Sequence, residues 1–136
     1  MSETMTGSCL CGAVTYTISG EVIAAANCHC NTCKKNTGAA FSTLIVVSED
    51  DLHIDDPEKK LVEYRVSDKA VKHFCSKCGT PIYNSHVAFP GFAMVLAGSL
   101  DQPCKVAPNT NFFCSRMLPW VNDIADLENF DRLREG

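Results

Sequence analysis

The sequence predicts a mainly β protein with a short helical turn towards its C-terminal end, and three observations carry that reading. Apolar or alternating β-rich runs recur at 13–19, 22–27, 40–47, 61–66, 81–84 and 93–97. Such runs of four to eight residues mark short strands with at least one buried face. Turn signals punctuate the chain at Ser19-Gly20, Asn36-Thr37-Gly38, Asp55-Asp56-Pro57, Phe89-Pro90-Gly91 and Asp101-Gln102-Pro103, spaced as in an all-β domain. Finally, no strong amphipathic helix interrupts the series. Only 119–133 carries apolar residues at near-helical spacing, at Trp120, Val121, Ile124, Leu127, Phe130 and Leu133.

Taken in order, 13–19 alternates Val14, Tyr16 and Ile18 with two threonines, whereas 22–27 and 40–47 are nearly continuous apolar runs. The 61–66 run mixes Leu61, Val62 and Tyr64 with charges, and 81–84 and 93–97 are short and apolar. The charged stretch Glu49-Asp50-Asp51 reads as a solvated loop. With 136 residues and 46% hydrophobic content, residues 1–136 are expected to form one domain with its own core. The first residues lack the basic start and apolar run of a secretory signal, and no stretch approaches the apolar length of a membrane span. The expectation is a cytoplasmic protein with no membrane partner.

The formal charge of −4 argues against nucleic acid, whose binding rests on clustered Lys and Arg. Nine cysteines in a chain without an export signal point to metal rather than disulfides. If seven of them bind two zinc ions as thiolates, the loaded protein carries a formal charge of about −7, which sets nucleic acid further aside.

The cysteines fall into Cys9-x-Cys11, Cys28-His29-Cys30-x-x-Cys33 and Cys75-x-x-Cys78-Gly79, with Cys104 and Cys114 apart. If Cys9 and Cys11 extend along a strand, both sulfurs share a face. Cys75-x-x-Cys78-Gly79 has zinc-knuckle spacing, and Gly79 permits a tight turn that points N–H groups at the sulfurs. Two such pairs make a closed four-thiolate site. The middle group supplies only three thiols from one loop, and His29 would point away from Cys28 and Cys30. Seven grouped thiols are one short of two closed sites, so one ion is expected to keep an open position. Alternatively, His53, His73, His86, Cys104 or Cys114 folds in to close it. A catalytic dithiol at Cys75 and Cys78 would need a thioredoxin-like βαβ unit that the pattern lacks. Spacing alone does not fix which groups pair.

These motifs, with Gly7-Ser8-Cys9-Leu10-Cys11-Gly12-Ala13-Val14 at the start, Lys34 and Lys35 after Cys33 and Phe74 and Thr80 flanking the last pair, form a pattern together. Ala97-Gly98-Ser99-Leu100-Asp101 and Ser115-Arg116-x-x-Pro119-Trp120 extend it. The chain resembles the glutathione-dependent formaldehyde-activating enzyme family, which includes centromere protein V, over nearly its whole length. The resemblance implies a β-tent of several small antiparallel sheets around zinc sites. It implies two zinc ions per chain, a structural one on Cys9, Cys11, Cys75 and Cys78 and a catalytic one on Cys28, Cys30 and Cys33. It also implies a carbon-sulfur lyase that forms or cleaves S-hydroxymethylglutathione, from glutathione and formaldehyde.

A zinc with three thiolates carries a net charge of about −1 and accepts a soft fourth ligand such as a substrate thiol. Lys34, Lys35 and Arg116 are the candidates to hold glutathione's carboxylates, against a reading as solvated or structural charges. His29 and His73 are candidate proton carriers, against simple hydrogen bonding to backbone. Cys104 and Cys114 read as partly buried free thiols. A second class of function is a zinc-stabilised protein-binding module, whose sign would be an apolar patch around Phe89, Phe92, Phe112 and Phe113; these are expected to serve the core instead. A third, a reductase of the methionine sulfoxide type, would need Cys104 or Cys114 as nucleophile. Oligomeric state has no signature here.

Overall fold

A computed structural model describes residues 4–134. Its strands are β1 (Met5–Ser8), β2 (Thr15–Ile18) and β3 (Ala24–Cys28), followed by the helix α1 (Asn31–Thr37) and then β4 (Ser42–Ser48), β5 (Leu52–Asp55) and β6 (Leu61–Arg65). The remainder are β7 (Ala70–Cys75), β8 (Pro81–His86), β9 (Phe92–Leu96) and β10 (Thr110–Phe112). The fold is mainly β. A three-stranded sheet runs β1-β2-β5, and a seven-stranded sheet runs β10-β3-β4-β9-β8-β7-β6. Every pair is antiparallel except β10 with β3.

Both sheets contribute to one core. Val14, Ile18, Ile45, Val47, Ile82 and Val95 are fully buried, together with Tyr16. Burying each such aliphatic side chain contributes about 1.5–3 kcal/mol. Tyr16 reaches the end of the core, where its hydroxyl meets Ser99 Oγ at 2.6 Å.

All six expected strands are present, within a few residues at their ends. Four further strands have weak patterns. β1 and β10 are short and carry polar residues, and β5 has only four residues in alternation. β7 buries both Val71 and Lys72, so its charged residue hides its inward face. The helix α1 also departs from the expected unbroken β pattern. Its seven residues are too few to show helical periodicity, and the residue that caps it, Cys30, is not a usual capping type: its sulfur accepts from the Cys33 N–H at 3.3 Å. Gly38, at φ 68°, ends it by donating to the Lys34 carbonyl. The expected C-terminal turn is a 3-10 helix at Pro119–Asp126.

Candidate metal centres

The first cysteine pair sits on a turn, so the condition of an extended strand at Cys9 and Cys11 is not met. β1 ends at Ser8, and the Gly12 N–H donates to the Cys9 carbonyl at 3.2 Å with Gly12 at φ 81°. The turn, available to glycine without strain, brings Cys9 Sγ and Cys11 Sγ to 3.6 Å. The second pair follows the expected geometry. β7 delivers Cys75, and Gly79 at φ 83° turns back so that its N–H donates to the Cys75 carbonyl at 2.7 Å. Cys11 Sγ lies 3.9 Å from Cys75 Sγ, and all four sulfurs are within 4.8 Å of one another.

Hydrogen bonds to sulfur spread the charge of this cluster. The Val14 N–H donates to Cys9 Sγ at 3.3 Å, and the Thr80 hydroxyl lies 3.3 Å from Cys78 Sγ. The Thr80 hydroxyl, joined by neighbouring backbone N–H groups, brings the Cys78 thiol down to about 5. Cys11 goes the other way, to about 11: the Ala13 N–H pulls it down, but burial and the three neighbouring thiols prevail. Thiols this close do not all ionise without a cation.

The third group is built at the junction of β3 and α1. β3 ends on Cys28, Cys30 caps α1, and Cys33 lies on its first turn. Cys28 Sγ and Cys30 Sγ are 3.4 Å apart, and the three sulfurs lie within 4.8 Å of one another. Burial, opposed by the Cys30 N–H and helped by the other thiols, pushes Cys28 up to about 12. Among the described residues no fourth Cys, His, Asp or Glu joins this group, whereas the other set has four members.

Both sets suit a tetrahedral thiolate-binding ion. Zinc–sulfur bonds of about 2.3 Å place sulfurs about 3.8 Å apart in a tetrahedron, and the observed 3.4, 3.6 and 3.9 Å bracket that value. A disulfide would need about 2.05 Å, and all nine cysteines are free thiols. Two buried polar atoms near the three-thiol group have no partner, His29 Nδ1 and Ser42 Oγ, with Ser42 opposite Cys28 in the sheet. Each of the two clusters could hold a metal ion.

The remaining predicted residues are distributed unevenly. Lys34 Nζ donates to the Arg116 carbonyl at 2.7 Å, which ties α1 to the 3-10 turn at Cys114–Arg116. Lys35 and the Arg116 side chain are exposed. His29 is buried and its Nε2 meets Asn111 Oδ1 at 3.2 Å. His73 is not brought to either cysteine group: it stacks on Tyr83 with ring centroids 4.0 Å apart and bonds Ser85 at 3.0 Å. His53 bonds Ser19 and His86 bonds the Ala88 N–H, so neither completes the three-thiol set.

Two expectations are corrected. Cys104 and Cys114 are exposed, not partly buried, because the chain around them, 101–105 and 107–116, lies on the surface. Phe89, Phe92, Phe112 and Phe113 do not serve the core: they are 57%, 37%, 54% and 62% exposed. The first two lie at the turn into β9, Phe112 ends the edge strand β10, and Phe113 follows it just before the 3-10 turn Cys114–Arg116.

The sequence reading missed Lys72 and Asn84, both buried. The signal available was a lysine three residues before Cys75, in a strand that also carries Ala70, Val71 and Phe74.

A family model described as glutathione-dependent formaldehyde-activating enzyme matches residues 4–116. Among solved structures, the crystal structure of a Rhodobacter sphaeroides protein is similar, with a TM-score of 0.64 and 23% identity over 79% of this chain and 99% of that one; it supports the fold alone. With the cysteine clusters in the matched segment and the family model covering most of the chain, the protein belongs to the glutathione-dependent formaldehyde-activating enzyme family.

Proposed function

We propose that this protein is a zinc-dependent carbon-sulfur lyase-like enzyme that acts on the glutathione adduct of a small aldehyde, formaldehyde first, as one domain in the cytoplasm. The observation that carries the reading is the inequality of the two cysteine clusters, four thiols in one and three in the other. In this reading Cys9, Cys11, Cys75 and Cys78 hold a structural zinc and Cys28, Cys30 and Cys33 hold a catalytic one, two ions per chain. Zinc on three thiolates supplies a Lewis-acidic position that favours the thiolate form of an incoming thiol.

The chain's own residues then position the substrate. Lys34 fixes the loop carrying Arg116 against α1, which leaves Lys35 and Arg116 as the exposed cations beside the three-cysteine loop that bind glutathione's carboxylates. His29, with Nε2 on Asn111, holds the loop between Cys28 and Cys30 in place. The direct test is exchange between free glutathione and its formaldehyde adduct, followed by NMR with the zinc-loaded protein. Exchange faster than the uncatalysed rate, abolished by Cys28→Ser, supports the reading; exchange at the uncatalysed rate with zinc fully loaded sinks it.

A second reading, a non-catalytic zinc-stabilised protein-binding module, draws on the exposed Phe112, Phe113, Trp120, Ile124 and Leu127. It requires that the three-cysteine zinc accept no thiol.

A further inference from the structure

Ser42 opens β4 and is 3% exposed, yet its Oγ has no hydrogen-bond partner. A buried hydroxyl without a partner costs stability, and alanine would fill the same place without that cost. The position therefore calls for an acceptor that the surrounding oxygens do not supply.

The sheet register shows what stands beside it. Ser42 and Cys28 are directly opposed in the antiparallel pair of β4 and β3, so their side chains leave the same face, with Cβ atoms about 4.5–5.5 Å apart. Cys28 is buried as well. The hydroxyl and the sulfur each swing on a single χ1 bond, so rotation about those two bonds can bring Oγ to hydrogen-bonding distance of Sγ. The next pair along the ladder shows that opposed side chains on these strands do meet: Thr43 faces Asn27, and its hydroxyl donates to Asn27 Oδ1 at 2.7 Å.

The other unpartnered polar atom near this group cannot take the same role. His29 Nε2 meets Asn111 Oδ1 at 3.2 Å, an acceptor, so Nε2 carries the proton and Nδ1 is itself an acceptor. Ser42 alone of the two has a proton to give. The Cys33 N–H already serves Cys30 Sγ at 3.3 Å, whereas among the described residues no hydroxyl meets any of the three sulfurs. The four-thiol cluster has such a contact, with the Thr80 hydroxyl 3.3 Å from Cys78 Sγ.

We propose that the Ser42 hydroxyl donates to Cys28 Sγ when Cys28 binds a metal ion, as a positioning residue that fixes this sulfur and takes up part of its charge. The inference deepens, and rests on, the reading that Cys28, Cys30 and Cys33 bind zinc. A cysteine that binds zinc is a thiolate, and a hydrogen bond to an ionised acceptor is shorter and stronger than one to a neutral group. Three thiolates and a divalent ion leave a formal charge of about −1, which a donated proton beside Cys28 draws away from the ion.

The experiment loads full-length wild type, Ser42→Ala and Ser42→Thr with two zinc equivalents and measures release of each ion to a chromophoric chelator. Cys28→Ser assigns the ion held by the three cysteines. The same proteins loaded with cobalt report on sulfur directly, through the thiolate-to-metal charge-transfer band. Removing a group that orients a metal ligand costs about 10- to 100-fold in affinity. That loss is expected for Ser42→Ala at the three-cysteine site alone, with a shifted cobalt band, and Ser42→Thr should retain most of the affinity and the wild-type band. Wild-type affinity and an unshifted band in Ser42→Ala overturn the inference. So does loss of affinity in Ser42→Ala with the band unmoved, or equal loss at both sites, since either marks a serine that matters only to packing. A wild type that binds a single ion, with Cys28→Ser unchanged, instead overturns the underlying assignment of Cys28, Cys30 and Cys33 as ligands.

Discussion

The Leu10 N–H donates to the Thr80 hydroxyl at 3.0 Å, and this bond joins the two turns whose cysteines form the four-thiol cluster. The same hydroxyl is 3.3 Å from Cys78 Sγ. Thr80→Val is therefore expected to cost about 1 kcal/mol in folding stability and to speed metal release from this cluster. Chemical denaturation and chelator kinetics on the same variant check both effects.

The two clusters are expected to differ in what their loss does to the fold. Cys75 is completely buried and its cluster joins residues 64 positions apart in sequence, so Cys75→Ser should lose cooperative unfolding, since structural zinc contributes directly to folding. Cys28→Ser, at the edge between β3 and α1, should keep a cooperative transition while losing one zinc equivalent. Metal analysis and calorimetry on both variants decide this.

Much of the centre was legible in the sequence, since cysteine spacing is local and chemically specific. Cys75-x-x-Cys78-Gly79 folds as its spacing and glycine require. Spacing alone left the backbone at Cys9 and Cys11 open, because a period of two suits both a strand and a glycine-terminated turn, and Gly12 at φ 81° makes it the turn. Lys72 was invisible for a different reason: it lies between β6 and β8 and its polar partner Asn84 comes from β8, neighbours that no local pattern records. The exposed Phe112 ends a strand of three residues at the sheet edge, and Phe113 follows it at φ 58° before the next turn. Hydrophobicity alone assigned them to a core that the fold builds elsewhere.

Gly7 lies where an added Cβ would collide with the Tyr16 ring and approach the Ser99 carbonyl oxygen at 2.7 Å. Gly7→Ala should destabilise the protein by about 1–3 kcal/mol through overpacking. A fall in the denaturation midpoint without loss of zinc is the expected result.

Tyr16 sets an alkaline limit. Burial, with Asp101 adding to it and the Ser99 hydrogen bond opposing, pushes its phenol up to about 12 from an ordinary value of 10.0. The folded state holds the proton more tightly than the unfolded chain does, so this stabilisation is complete below pH 10 and is lost as pH rises towards 12. Tyr16→Phe should cost about 1 kcal/mol at neutral pH through its lost hydrogen bond. It should also show a shallower stability decline above pH 10 than wild type. Urea denaturation at pH 7 and pH 10.5 compares the two.

Lys35 and Arg116 are both exposed, whereas Lys34 is tied to the Arg116 carbonyl. Replacing Lys35 or Arg116 with alanine is expected to raise KM for glutathione several-fold at unchanged stability. Lys34→Ala should lower stability as well. Steady-state kinetics alongside thermal denaturation separates these two kinds of cation.

Four thiols surround one candidate metal position and three the other, and the proposed function requires the second to stay open. X-ray absorption at the zinc edge, recorded on wild type and on Cys28→Ser before and after glutathione is added, tests it most directly. Two zinc ions are expected in wild type, one bound by four sulfurs and one by three sulfurs and a lighter atom, with glutathione raising the sulfur count of the second only. Two fully sulfur-ligated ions that ignore glutathione, or a single bound ion, would contradict it.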